Sequence, residues 1–119
     1  MKSILDVRAT LERLETLSVG LIGYRSQRFP GFYIQDSGYS VAWVAQCAAE
    51  IADTPAARNS LGLQQALVVT NPTPDGKEMA RELHDVTLSG ALKALHDHKI
   101  IGKDVTPFLL AYFTSTPMA

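Results

Sequence analysis

Cysteine is almost missing from this sequence. Cys47 is the single one in 119 residues, which leaves no internal disulfide framework and no multi-cysteine metal site. That usage fits a reducing compartment and reads Cys47 as a small apolar filler. A surplus of either charge is missing too: 11 basic and 12 acidic residues leave a net charge of -1, so no summed field draws the chain toward nucleic acid or an anionic membrane. No apolar run approaches the ~20 residues of a membrane span, and the start lacks the basic-then-apolar pattern of a secretory signal. The expectation is a cytoplasmic protein with no nucleic-acid and no membrane partner. Internal repeats, low-complexity tracts, glycine-rich phosphate motifs and paired carboxylates are absent as well, and no serine-histidine-acid set is recognisable along the chain.

What is present reads as one domain with its own core, which this length supports. Ser3 followed by Asp6, with Val7, Leu11 and Leu14 at helical spacing, predicts a helix over 3–16. Residues 18–24 are a short apolar run with the character of a buried strand. Residues 25–38 hold Phe29, Pro30, Phe32 and Tyr33 with an Asp36-Ser37-Gly38 turn, an aromatic loop expected to be pinned to something. Val44, Ala45, Ala48, Ile51 and Ala52 predict a second amphipathic helix from residue 41, ending before Pro55. Residues 66–70 are continuous and β-branched and form the best strand, closed by the stiff turn Asn71-Pro72-Thr73-Pro74.

After Gly76 a long helix is expected to about His98, with Met79, Leu83, Val86, Ala91 and Leu95 inward and Gly102 as its breaker. Thr106 as cap and Pro107 as first residue predict a last helix. Residues 114–119 read as a disordered tail to a domain over 1–113. The order helix, strand, helix, strand, helix, helix predicts an α/β fold, a partial three-layer α/β/α arrangement with a parallel or mixed sheet. Two strands make a poor sheet, so either strands are missed or neighbours come from another chain or segment.

Few residues announce chemistry on their own. From position alone, a lysine beside the initial methionine reads as solvated, although Lys2 would stand at the head of the first helix, where the macrodipole raises the positive potential. Asn71 ends the strongest strand, where α/β sheets gather ligands, but its motif also makes a plain stiff turn. His84, His96 and His98 all fall in one predicted helix without sharing a face, which argues against a metal site. Thr106, with Lys103 and Asp104, stands where an anion meets a helix start, and capping explains it as well.

Taken together, Lys2-Ser-Ile-Leu-Asp6, Gly23-Tyr24 before Phe29-Pro-Gly-Phe-Tyr33, Asp36-Ser-Gly38, Leu67-Val-Val with Asn71-Pro-Thr-Pro74, and Gly102-Lys103 with Thr106-Pro-Phe-Leu-Leu-Ala111 resemble one family. It is the pseudouridine-5'-phosphate glycosidases, also called indigoidine synthase A-like proteins. The resemblance covers nearly the whole chain and the second half of the family's length, so half of that fold is expected. It implies that Lys2 is the Schiff-base lysine; Asn71 and Thr106, from their places at the strand end and the helix start, are the candidate substrate-binding positions.

The implied reaction is reversible cleavage of pseudouridine 5'-phosphate to uracil and ribose 5-phosphate through a ring-opened sugar held as an imine. The family's manganese, with its acid, base and phosphate groups, is implied to lie on a segment absent here, so no cofactor is expected in this chain. Met1 stands where the family has a small residue. The resemblance therefore points to a truncated or split homologue, inactive alone because its lysine lies on a fraying terminus without phosphate clamp or metal. It would assemble as a homo-oligomer or with a complementing chain. The alternative is a non-catalytic binding or assembly module using an exposed sheet edge, or a small enzyme completed across a homo-oligomer interface.

Overall fold

The computed structural model describes residues 2–117. Helix α1 spans Val7–Thr16, not 3–16, because Asp6 adopts extended backbone and its carboxylate accepts from the Ala9 N–H at 2.9 Å. An acidic cap there satisfies an orphan amide that Ser3, three residues earlier, would leave inside the chain. Residues 2–5 instead form a turn closed by the Leu5 N–H on the Lys2 carbonyl.

Three parallel strands form the sheet, β1 (Gly20–Tyr24), β2 (Trp43–Ala45) and β3 (Leu67–Thr70), in the order β2-β1-β3. Ile22 registers with Trp43 on one side and with Val69 on the other, so β1 is the central strand. The fold is α/β as expected, and the sheet takes the parallel option.

The expected helix from residue 41 is wrong in its first half. Trp43 and Val44 are strand formers facing an open edge of β1, and the ladder they complete outweighs a helical spacing that reached back to Val44. Helix α2 starts later and runs over Ala48–Ser60, through Pro55 instead of stopping before it. It buries none of its residues, and Cys47 at its N-cap is exposed and fills no core.

Helix α3 spans Arg81–Asp97 and buries His84, Thr87 and Ala91 along one stripe, while Val86, expected inward, is 71% exposed. Lys99, at a φ of 54°, closes it before Gly102 is reached. A 3-10 turn at Gly102–Asp104 leads into helix α4 (Val105–Thr114). Thr106 therefore lies inside α4 and does not cap it. Asp104 holds the cap position, and Pro107 fits the first turn because an amide there has no helical partner to lose. Ser115 and Thr116 continue the turn through hydroxyl bonds to the Tyr112 carbonyl, and residues 118–119 of the expected tail lie outside the described residues.

Two cores result. Val7 and Leu11 of α1 meet Phe29, Val41 and Leu21 over the sheet, whereas α3 and α4 close on Ile4, Met79, Leu109 and Phe113. The segment before α1 thus belongs to the helical core and the helix itself to the sheet. No helix among the described residues is long and apolar enough to cross a membrane.

Candidate functional site

The aromatic loop between β1 and β2 is where the two cores meet. Phe29 is buried under α1, and Tyr33 stacks on Phe113 of α4 with ring centroids 4.7 Å apart. Burial raises the Tyr33 phenol above its ordinary value. Phe32 between them stays 56% exposed and holds a φ of 69°, an uncommon state for a bulky side chain. The loop is fastened to the turn after β3: the Thr73 hydroxyl donates to the Phe32 carbonyl, and the Gln35 amide donates to the Thr73 carbonyl and the Asp75 carboxylate at 2.8 Å each. Met79 N–H adds a 2.6 Å bond to the Tyr33 carbonyl.

These fastenings frame a cleft of about 690 Å³ lined by Leu5, Phe29, Phe32, Tyr33, the β3 strand end, the turn 71–74 and Lys77. It opens outside the carboxyl end of β3, where parallel sheets bind ligands. Its walls are mostly apolar, and Lys77 is the only charged residue among the lining residues.

Asn71 lines this cleft, exposed at the strand end as its position implied. Lys2 is half-buried, and its Nζ stands 5.8 Å from the centroid of the Phe32 ring, one of the cleft walls. Lys2 is not itself among the cleft residues, and Phe32 is its one link to the cleft that Asn71 lines. The helix-head argument for Lys2 does not hold, since α1 begins at Val7. Thr106 is half-buried in α4 and is not among the cleft residues, so the three positions share no single cavity.

Ser3, next to Lys2, is firmly anchored. Ser3 is 9% exposed, its N–H donates to the Gly31 carbonyl at 2.7 Å, and its Cβ lies where a Cβ on Gly31 would come within 2.7 Å. Its hydroxyl bonds His84 Nε2 at 2.5 Å, and His84 Nδ1 meets the Asp85 carboxylate at 3.0 Å. The hydrogen bond from His84, with help from Arg81, holds the Asp85 carboxyl below the usual carboxylate range. A serine-histidine-acid line is thus present after all, assembled across 81 positions that no local motif spans. Its one sequence signal was the stripe His84, Thr87, Ala91, which places a histidine on the buried face of α3.

Among the described residues no three His, Cys, Asp or Glu side chains gather as a metal site would require, and the cleft walls hold none of the four. These residues do not fit manganese.

Comparison with known proteins adds the following. Residues 1–117 match the sequence model of the family described as indigoidine synthase A like protein. A pseudouridine-5'-phosphate glycosidase of Salinispora tropica is 49% identical over 116 residues, 97% of this chain and 36% of that relative. One of Frankia alni is 48% identical over 95% of this chain and 31% of its own length. Among solved structures, an indigoidine synthase A-like protein of Thermotoga maritima superposes with a TM-score of 0.80 at 34% identity, covering 96% of this chain and 37% of that one. The prealnumycin C-glycosynthase AlnA, solved with ribulose 5-phosphate, superposes at 0.81 and 27% identity, covering 93% and 36%. The chain thus spans about a third of the length of the curated relatives it matches, less than the half expected.

Proposed function

Since this chain belongs to the indigoidine synthase A-like family, we propose that it is the lysine-bearing segment of a sugar-phosphate C-glycosidase acting on pseudouridine 5'-phosphate. The observation that carries this reading is the Lys2 amine 5.8 Å from the Phe32 ring, which itself lines the cleft with Asn71. In the synthetic direction the amine adds to the aldehyde carbon of open-chain ribose 5-phosphate and water leaves, giving an imine. Carbon 5 of uracil then adds to the imine carbon and sheds its proton, and the sugar O4' displaces the lysine as the ring closes. Cleavage is the reverse: uracil carbon 5 regains its proton, the lysine nitrogen pushes its lone pair in to form the imine, and the electrons of the broken carbon-carbon bond leave with the uracil ring. Lys77 and the lack of any acidic lining residue favour an anionic substrate there, and Asn71 supplies an amide for orienting it.

A divalent metal, the phosphate clamp and the acid and base groups belong, in this reading, to residues beyond this chain. Alone, the chain traps the sugar but turns over little or no pseudouridine 5'-phosphate, because orientation supplies much of the barrier reduction. It completes its site by assembling with further copies or with a complementing chain in the cytoplasm. Thr106 contacts substrate only in that completed site.

The test is reductive trapping with ribose 5-phosphate and cyanoborohydride, followed by peptide mapping. Lys2 is expected to label faster than the exposed Lys93 and Lys99, and Lys2→Arg to abolish that excess. Labelling of all lysines at one rate overturns the reading. A second reading, a non-catalytic assembly module, is favoured by the exposed Trp43 and Leu61 beside an apolar cleft of 970 Å³ and predicts no preferred lysine.

A further inference from the structure

Ser3, His84 and Asp85 have the connectivity of a hydrolase relay, yet Ser3 and His84 line none of the clefts described above and are 9% and 3% exposed. A hydroxyl that substrate cannot reach is no nucleophile. Its position offers another role, since it is one residue from Lys2. We propose that His84, held by Asp85, is a positioning residue for Lys2: by fixing Ser3 it fixes the backbone from which the amine reaches over Phe32. This rests on the imine reading of Lys2.

The bonding order is dictated by the chemistry of the three groups. An ionised carboxylate only accepts, so Asp85 requires a proton on His84 Nδ1. In the neutral ring Nε2 is then an acceptor, and the Ser3 hydroxyl donates to it. Asp85 is itself steadied by Arg81, whose Nε lies 3.6 Å from its second oxygen, one turn back on α3. From the facing helix α4 the imidazole meets the Phe113 ring at 5.7 Å, and behind that ring lies Tyr33, so the charged and titratable neighbours are Asp85, Arg81 and the distant phenol. With its hydroxyl given to α3, its N–H given to Gly31 and its Cβ against Gly31, Ser3 has three independent restraints. Gly31 precedes Phe32, the ring beneath the amine, so one clamp sets both partners of the Lys2–Phe32 contact.

The experiment measures the Lys2 trapping rate with ribose 5-phosphate, divided by that of Lys93 in the same chain. His84→Leu and Ser3→Ala are expected to lower the ratio about ten-fold, since a displacement of an ångström costs orders of magnitude in oriented reactions. His84→Gln keeps an acceptor within reach of Ser3 and is expected to retain half or more of the ratio. Nitrogen-15 spectra of the wild-type imidazole should show Nδ1 protonated and Nε2 bare, a signature that Asp85→Asn disperses. Should His84→Leu fail to fold, Ser3→Ala and His84→Gln decide. An unchanged ratio in Ser3→Ala, or an equal loss in His84→Gln and His84→Leu, overturns the positioning role while the imine reading stands. A wild-type ratio near one overturns both.

Discussion

At the scale of single residues, the site is controlled by close approaches. Gly31 is required because a Cβ there would sit 2.7 Å from Ser3 Cβ and 3.0 Å from Ile34 Cγ1, neither of which can retreat from a buried setting. Gly31→Ala is therefore expected to destabilise the chain by about 1–3 kcal/mol through overpacking. Urea unfolding measures it, and a loss too small to resolve would mean that the Ser3 clamp is slack. Tyr33 gives a pH counterpart. Its phenol is raised by burial, so the neutral form stabilises the fold fully below the unfolded value of about 10, and that contribution is lost as pH climbs through the higher folded value. Tyr33→Phe is expected to flatten the alkaline end of the stability profile while keeping the stacking on Phe113. Equal alkaline losses in both proteins would show that the ring is not desolvated.

At the scale of elements, burial and hydrogen bonding decide which helices are firm. Helix α2 buries none of its residues and carries Pro55, which cannot donate to the Ile51 carbonyl and crowds that turn. Its amides are expected to exchange with solvent many-fold faster than those of α3, where His84, Thr87 and Ala91 are buried. Pro55→Ala should raise stability by up to about 3 kcal/mol, and a neutral result would mean that α2 barely forms in solution.

The same physics explains which elements were legible in the sequence. The strand at β3, the aromatic loop and the Asn71 turn carry their signals within a few residues, through β-branching, proline and asparagine. The strand at β2 is three residues long, and only its long-range pairing with β1 separates it from a helical spacing, so the chain alone hid it. Lys2 became a candidate through a resemblance and Asn71 through its place at a strand end, whereas His84 bonds a partner 81 positions away that no local motif spans.

At the scale of the whole molecule, the surface is too large for the mass. A folded monomer of 12.9 kDa should expose roughly 6,300 Å². This chain exposes 8055 Å², an excess of roughly 1,700 Å² over that scaling. Its radius of gyration of 16.6 Å likewise exceeds the ~13.5 Å expected for this length. A standard interface takes only about 800 Å² from each partner, so the excess corresponds to about two such faces or one obligate one. Trp43, Leu61 and Leu63 mark one of them, 71%, 74% and 48% exposed around the cleft between α2 and the sheet. Parallel sheets survive by being covered, and a β2 edge of three residues ending in that cleft is not. A chain that spans a third of its relatives is expected to leave such faces open. At micromolar concentration the isolated chain should therefore sediment as an assembly. Trp43→Glu with Leu61→Glu should shift it toward monomer, with the Trp43 emission of the parent protein blue-shifted on association. A parent protein that sediments as a stable monomer with water-exposed tryptophan emission would show that the surface excess is tolerated, and would remove the case for a site completed by another chain.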